Sequence, residues 1–131
     1  MQKSLIFSGL MAFTVTLFVF ASPNIFDHIT ETFKKGSATE LSKFFNSNVD
    51  LTIDNKEEVY SKIQAEQVLK DFFSKNPPKS FTLIHQGVSK EGAKYAIGNL
   101  ITTQGHSFRI YLYIKPSKGS EYIQELRIEK Q

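Results

Sequence analysis

A histidine on a strand-like segment is the residue of this sequence best suited to chemistry. His85 alternates with Phe81 and Leu83, and side chains two residues apart lie on the same face of a strand. We therefore expect His85 to face the apolar side of a sheet. A histidine there acts as a general base, orients a polar ligand or, more often, is a hydrogen-bonded core residue. Asn99 shares a face with Tyr95, and we expect both to meet His85 in a pocket.

Other kinds of active site have little support in the sequence. The histidines, His28, His85 and His106, show neither HxH nor HxxxH spacing, and the glycines form neither GxGxxG nor a phosphate loop. No GxSxG pattern is present, and the chain contains no cysteine, which excludes disulfides and thiol chemistry. We expect neither a metal nor a cofactor. The net charge of +3 on a nearly balanced composition also argues against a nucleic-acid partner.

Polar and aromatic side chains share one face of the last two predicted strands. Arg109, Tyr111 and Tyr113 alternate with apolar residues, as do Glu125 and Arg127 further along. They form either a cross-strand charge ladder that stabilises the sheet or an interaction face for a homodimer or a protein partner. Tyrosine and arginine are favoured at contact surfaces, and exposed tyrosine is also common in strands for its β propensity alone.

Three segments show the apolar spacing of helices. The predicted helices span residues 25–35, a short segment capped by Ser37 or Thr39 that carries Leu41, Phe44 and Phe45, and a longer segment from Ser61 to the stop at Asn76-Pro77-Pro78. The apolar stripe of the third helix consists of Ile63, Ala65, Val68, Leu69, Phe72 and Phe73.

Alternation predicts strands in the rest of the chain. A hairpin is predicted from residues 49–53 and 57–60, and four long strands from residues 81–88, 95–103, 108–115 and 122–129. Glycine-containing connections join the long strands, which indicates an antiparallel meander. Their expected core residues include Phe108, Ile110, Leu112, Ile114, Tyr122, Leu126 and Ile128. The element order predicts an α+β domain whose helices pack on the concave face of a curved antiparallel sheet.

Several strand sequences carry a family resemblance. The runs FTLIHQG at 81–87, YAIGNL at 95–100, FRIY at 108–111 and ELRIE at 125–129 resemble domain of unknown function 4783. That family of exported proteins, known mainly from Bacteroidetes, lies within the nuclear transport factor 2-like superfamily. The resemblance implies a cystatin-like cone with an internal pocket and, in the superfamily, dimers through the sheet. It brings no known reaction, and the Asp base of superfamily isomerases and dehydratases has no counterpart on the apolar strand faces.

The first residues have the layout of a secretion signal. Lys3 precedes an apolar run from Leu5 to Ala21, and small side chains follow. We predict a cleaved signal peptide over residues 1–21 and a single domain over residues 22–131, exported to the periplasm or secreted. An uncleaved anchor helix is the alternative, because the run is near the minimum length for a membrane span. With a cleaved signal, the protein contacts a membrane only before cleavage.

Two functions from different classes fit the sequence. The first is a non-catalytic binding module that holds a small apolar ligand in the cone or a protein partner on the sheet. The second is a pocket enzyme of the isomerase or dehydratase type that uses His85.

Overall fold

The computed structural model describes residues 14–16 and 24–131. The predicted signal peptide therefore lies outside the described residues, apart from residues 14–16. No helix among the described residues has the length and apolar character needed to cross a membrane.

Residues 24–131 contain three helices, and local side chains define the helix ends. They are α1 (Ile25–Lys35), α2 (Ala38–Ser42) and α3 (Lys62–Lys75). Asn24 and Asp27 form a reciprocal capping box at the start of α1, and Gly36 ends this helix in the left-handed conformation that suits glycine. Ser61 and Gln64 form the same capping box at the start of α3. These caps supply partners for backbone N–H groups that a helix start leaves unpaired.

In the part of the chain that the structure describes, six strands form one sheet. They are β1 (Phe45–Ile53), β2 (Lys56–Ser61), β3 (Pro78–Val88), β4 (Lys94–Thr102), β5 (Ser107–Ser117) and β6 (Ser120–Lys130). Their order across the sheet is β2-β1-β6-β5-β4-β3. All neighbours run antiparallel except β1 and β6, which are parallel. The helices pack on one face, called here the inner face. The predicted α+β fold is thus confirmed, with one parallel pair added.

Phenylalanine rings fill the inner side of the sheet beneath α1 and α3. Phe33 is fully buried, and its ring stacks on Phe81 with centroids 4.7 Å apart. Phe73 meets the Phe33 ring edge-on at 6.0 Å, and Phe72 meets Phe108 in the same way at 5.2 Å. Such pairs add a directional term to the burial of large apolar surfaces. The core beneath these helices is therefore filled with side chains.

The second helix is shorter than predicted. It ends at Ser42, and Phe45, which was expected on this helix, begins β1 instead. The backbone N–H of Ile123 in β6 donates to the carbonyl of Phe44 at 2.7 Å. Pairing with a distant strand thus decides the conformation of an apolar run whose local spacing also suits a helix.

Candidate functional site

All eight residues predicted to form a pocket or an interaction face lie on the outer face of the sheet, opposite the helices. Register places them in neighbouring positions, with Tyr111 beside both Ile97 and Arg127, and Ile97 beside His85. The eight residues are His85, Tyr95, Asn99, Arg109, Tyr111, Tyr113, Glu125 and Arg127. The predicted interaction face is therefore brought together, and the predicted pocket is not.

The prediction that His85 faces the pocket is wrong because β3 contains a bulge. Leu83 pairs with Gly98 and His85 pairs with Ile97, which leaves Ile84 as an extra residue. One extra residue reverses the side to which all later side chains point. Phe81 is accordingly buried, while His85 is exposed.

A second bulge explains the error at Tyr122. Ile114 pairs with Ile123 but Tyr113 pairs with Glu125, so Gln124 is extra in β6. Ile123 consequently takes the buried position that the alternation assigned to Tyr122. Tyr122 is half-buried opposite Lys115 on the outer face.

Asn99 and Tyr95 are on the outer face for a different reason. The inner face of β4 consists of small or modest residues, including Ala96, Gly98 and Leu100, all buried. A Cβ at position 98 would lie 2.6 Å from the Phe81 ring, so this ring occupies the space of a side chain. The more apolar residues of β4 were expected to face inward, but the large ring on β3 requires small residues there.

On the outer face, His85 and Tyr95 form a small polar pair. The His85 Nε2 and the Tyr95 hydroxyl are 3.2 Å apart, and the Tyr95 ring lies across Gly87. Asn99 accepts a hydrogen bond from the Ser107 hydroxyl at 2.8 Å. His85 lines none of the described cavities. These contacts fix the side chains of His85, Tyr95 and Asn99 on the surface of the outer face.

The charged part of this face centres on Arg127. Its Nε donates to the Glu125 carboxylate at 2.5 Å, and its guanidinium lies 5.6 Å from the centre of the Tyr111 ring. The bond to Glu125 raises the pKa of Arg127, and burial raises that of the Tyr111 phenol. Arg109 is exposed and forms no ion pair in the described part of the chain. The closest charged contact therefore runs along β6.

Acidic residues extend the face towards β2. Asp50 pairs with Glu125 across β1 and β6, and Glu57 lies on the neighbouring strand. A hydrogen bond with Asp50 and repulsion between the carboxylates raise the pKa of Glu57. One Asp50 carboxylate oxygen is buried without a partner. Negative charge is thus concentrated at the β1-β2 side of the outer face.

A groove that the sequence analysis missed lies at the other side of the hairpin, between β1-β2 and α3. We call it the hairpin groove, and its volume is about 720 Å³. Its apolar lining consists of Leu51, Ile53, Tyr60, Val68 and Phe72. Leu51 and Phe72 are buried, whereas Ile53, Tyr60 and Val68 are half-buried. The groove is therefore an apolar floor that reaches the surface.

The number of apolar residues on α3 is the sequence signal from which this groove could have been found. Ala65, Leu69 and Phe73 are buried in the core, while Val68 and Phe72 line the groove. Six apolar positions are more than one packing surface of this helix uses. Ile63, the remaining member of the predicted stripe, is 72% exposed.

Charged and polar side chains surround the hairpin groove. Lys75 Nζ lies 3.0 Å from Asp71 on α3, and Lys56 Nζ lies 3.7 Å from Glu58 on β2. Asp54 at the hairpin turn also lines the groove. Within the described ranges, no group of three or more metal-ligating side chains is present. The groove thus combines an apolar interior with a mostly ion-paired rim.

Comparison with protein families and solved structures identifies relatives. A family model described as domain of unknown function (DUF4783) matches residues 26–129. A search of curated proteins gives no match.

Two solved structures of that family are similar along nearly their whole length. The Bacteroides uniformis protein is 32% identical, with a TM-score of 0.77, over 82% of this chain and 98% of its own. The Bacteroides fragilis protein is 31% identical, with a TM-score of 0.75, over 84% of this chain and 100% of its own.

A more distant structure shares the fold. An NTF2-like protein of unknown function from Shewanella baltica is 16% identical, with a TM-score of 0.60, over 81% of this chain and 87% of its own. This likeness shows that the two chains share an NTF2-like fold.

Proposed function

We propose that this chain, which belongs to the DUF4783 family, is a non-catalytic binding module that holds a small apolar molecule in the hairpin groove. The observation that carries the proposal is the apolar floor of a groove of about 720 Å³. That volume lies within the range of about 300–1,000 Å³ that is typical of small-molecule sites.

The burial of the floor supports this proposal. Leu51 and Phe72 are 1% and 5% exposed, so the floor is held by the core, while Val68 and Tyr60 still reach the groove. A ligand with a chain of ten carbons gains about 0.8 kcal/mol for each methylene that leaves water. Full burial of the chain therefore gains at most about 8 kcal/mol, and after an association cost of at least about 4 kcal/mol this corresponds to a Kd of about 1 mM.

The polar groups around the groove favour binding over catalysis. Asp71 is paired with Lys75, and Glu58 is paired with Lys56. The pKa of Glu58 is lowered by Tyr60 and Lys56, which makes this carboxylate a weaker base. The enzyme alternative relied on His85 in a pocket, and this histidine is exposed on the outer face.

A substitution on α3 tests the proposed site. Val68→Asp places a charge in the groove, and Ile63→Asp is the matched control because Ile63 is 72% exposed on the same helix outside the groove. We expect Val68→Asp to weaken binding of the neutral dye Nile red by about tenfold or more, and Ile63→Asp to leave it unchanged. Circular dichroism establishes that both variants are folded. Equal dye binding by the wild type and a folded Val68→Asp variant would contradict the proposal.

A second candidate function is assembly with another copy through the outer face. Tyr111, Tyr113 and Ile97 are half-buried in the monomer and form a central aromatic and aliphatic band. The outer face is negative at its β1-β2 side, where Asp50 and Glu57 lie. It is positive at β5, where Arg109 and Lys115 are exposed. A two-fold axis through the band can bring such sides together, as a self-complementary homodimer requires.

Sedimentation equilibrium tests the homodimer. We expect the wild type at about twice the monomer mass, and Tyr111→Asp at the monomer mass, because a central aromatic residue often contributes at least about 2 kcal/mol to an interface. Ile63→Asp, which introduces the same charge at an exposed position of α3, should remain dimeric. A monomeric wild type would refute this candidate.

Export is the third part of the proposal. The predicted signal at residues 1–21 supports a mature protein that begins at Ser22, in the periplasm or outside the cell. Mass spectrometry of the protein from the cell envelope and the medium should give the mass of residues 22–131. A full-length mass would instead support the anchor.

A further inference from the structure

The charges around the hairpin groove restrict the kind of ligand it accepts. We infer that it selects small apolar molecules whose head group donates hydrogen bonds and carries no negative charge. This inference rests on the proposed function, since it names the ligand class of the same groove.

The lysines at the rim of the hairpin groove already have carboxylate partners. Lys56 and Lys75 are the lysines that line the groove, and each already lies beside a carboxylate, Glu58 at 3.7 Å and Asp71 at 3.0 Å. Asp54 lines the groove as well and forms no ion pair in the described part of the chain. A ligand carboxylate would have to displace an existing partner of a lysine while being repelled by Asp54.

Side chains that line the hairpin groove also offer hydrogen-bond acceptors. The neighbouring Glu58 raises the pKa of the Tyr60 phenol. Tyr60 and Lys56 in turn lower the pKa of Glu58. Tyr60 lines the groove, and its phenol oxygen is able to accept a hydrogen bond from a ligand. Asn76 Nδ2 donates to the Phe72 carbonyl at 3.0 Å, which leaves the Asn76 amide oxygen as an acceptor. Alcohols and amines supply the donors that such groups require.

The rim charges and the available acceptors predict an order of affinity for ligands with similar apolar chains. 1-Decanol and decylamine have one methylene more than decanoate, which accounts for roughly a fourfold difference in Kd, so any larger difference reports on the head group. An ionised carboxylate has no hydrogen-bond donor, and its negative charge is repelled by Asp54. Decanol and decylamine should therefore bind more tightly than decanoate.

The experiment is a titration of the protein with each of these three compounds at neutral pH and low salt, followed by chemical shifts of backbone amides. We expect shifts at Leu51, Val68 and Phe72, and a Kd for decanoate at least about tenfold weaker than that for decanol or decylamine. Decanoate binding as tightly as decanol would overturn the inference and leave the proposed function standing. Failure of all three compounds to bind would overturn both.

A single substitution tests the contribution of the rim. Asp54 has a φ of 49°, a conformation that asparagine also adopts, so Asp54→Asn removes the charge with little change to the turn. Glu129→Gln is the control, since it removes an equal charge from the outer face. Asp54→Asn should reduce the preference for decanol over decanoate by about threefold, and Glu129→Gln should not. An equal reduction in both variants would show a general charge effect and overturn the inference.

Discussion

The inner side of the sheet is filled at one end and open at the other. Beneath α1 the centre of the Phe33 ring lies 4.7 Å from that of Phe81 and 6.0 Å from that of Phe73, and side chains fill this part of the core. Between α3 and the β1-β2 hairpin, the same side of the sheet leaves the hairpin groove. Phe72 belongs to both regions, because its ring meets Phe108 and also lines the groove. In a small cone-like domain, rings that stabilise the fold take up space that a ligand would need, and the proposed ligand site accordingly lies at the edge.

The largest expected difference between the two ends is in stability. Phe33→Ala removes a fully buried ring and should lower the free energy of unfolding by about 3–5 kcal/mol. Val68→Ala removes two methyl groups from a half-buried wall and should cost about 1 kcal/mol. Urea denaturation measures both values. A similar loss of unfolding free energy in the two variants would mean that the groove stabilises the fold as much as the packed end does. That result would contradict the difference between the two ends.

The next effect distinguishes the inner face from the outer face. Gly98→Ala places a Cβ 2.6 Å from the buried Phe81 ring and should cost about 1–3 kcal/mol, because the surrounding core resists movement. Gly87→Ala creates a similar overlap with Tyr95, whose partly exposed ring can move into solvent, and should cost less. Thermal denaturation ranks the two variants. If Gly98→Ala costs less in a Phe81→Leu background, the ring is the cause; an unchanged cost would contradict this explanation.

The smallest effect is a dependence on pH at the open end. The Tyr60 and Lys56 side chains lower the pKa of Glu58 relative to an unfolded chain. Such a group stabilises the fold above its unfolded pKa, and the contribution is lost as the pH falls through the folded value. The wild type should therefore be slightly more stable than Glu58→Gln at pH 7, and this difference should shrink as the pH falls below the ordinary pKa of glutamate. The comparison with the variant removes the opposite contribution of Glu57, whose pKa is raised. A difference that grows in acid would contradict this assignment.

Periodicity and turn chemistry were sufficient for the fold. The limits of α1 agree with the prediction, since the apolar spacing from Ile25 to Phe33 and the stop at Gly36 are local signals. The four long strands and the hairpin are also present where alternation placed them, within a few residues. The parallel pairing of β1 with β6 was not predicted, because it joins segments that are distant in sequence.

The candidate site could not be predicted in the same way, because the orientation of a strand face depends on a single extra residue. Bulges at Ile84 and Gln124 reversed the alternation at His85 and Tyr122. No local pattern at either position announces a bulge, which the pairing with the next strand determines. Gly98 is a related case, because a glycine inside a strand becomes informative once the ring that covers it is known.

A crystal structure of the protein with 1-decanol tests whether the hairpin groove is the binding site. We expect density for the alkyl chain in the hairpin groove, in contact with Leu51, Val68 and Phe72, while the Phe33 and Phe81 rings stay stacked. An alkyl chain lodged between those rings beneath α1, with the groove empty, would contradict it.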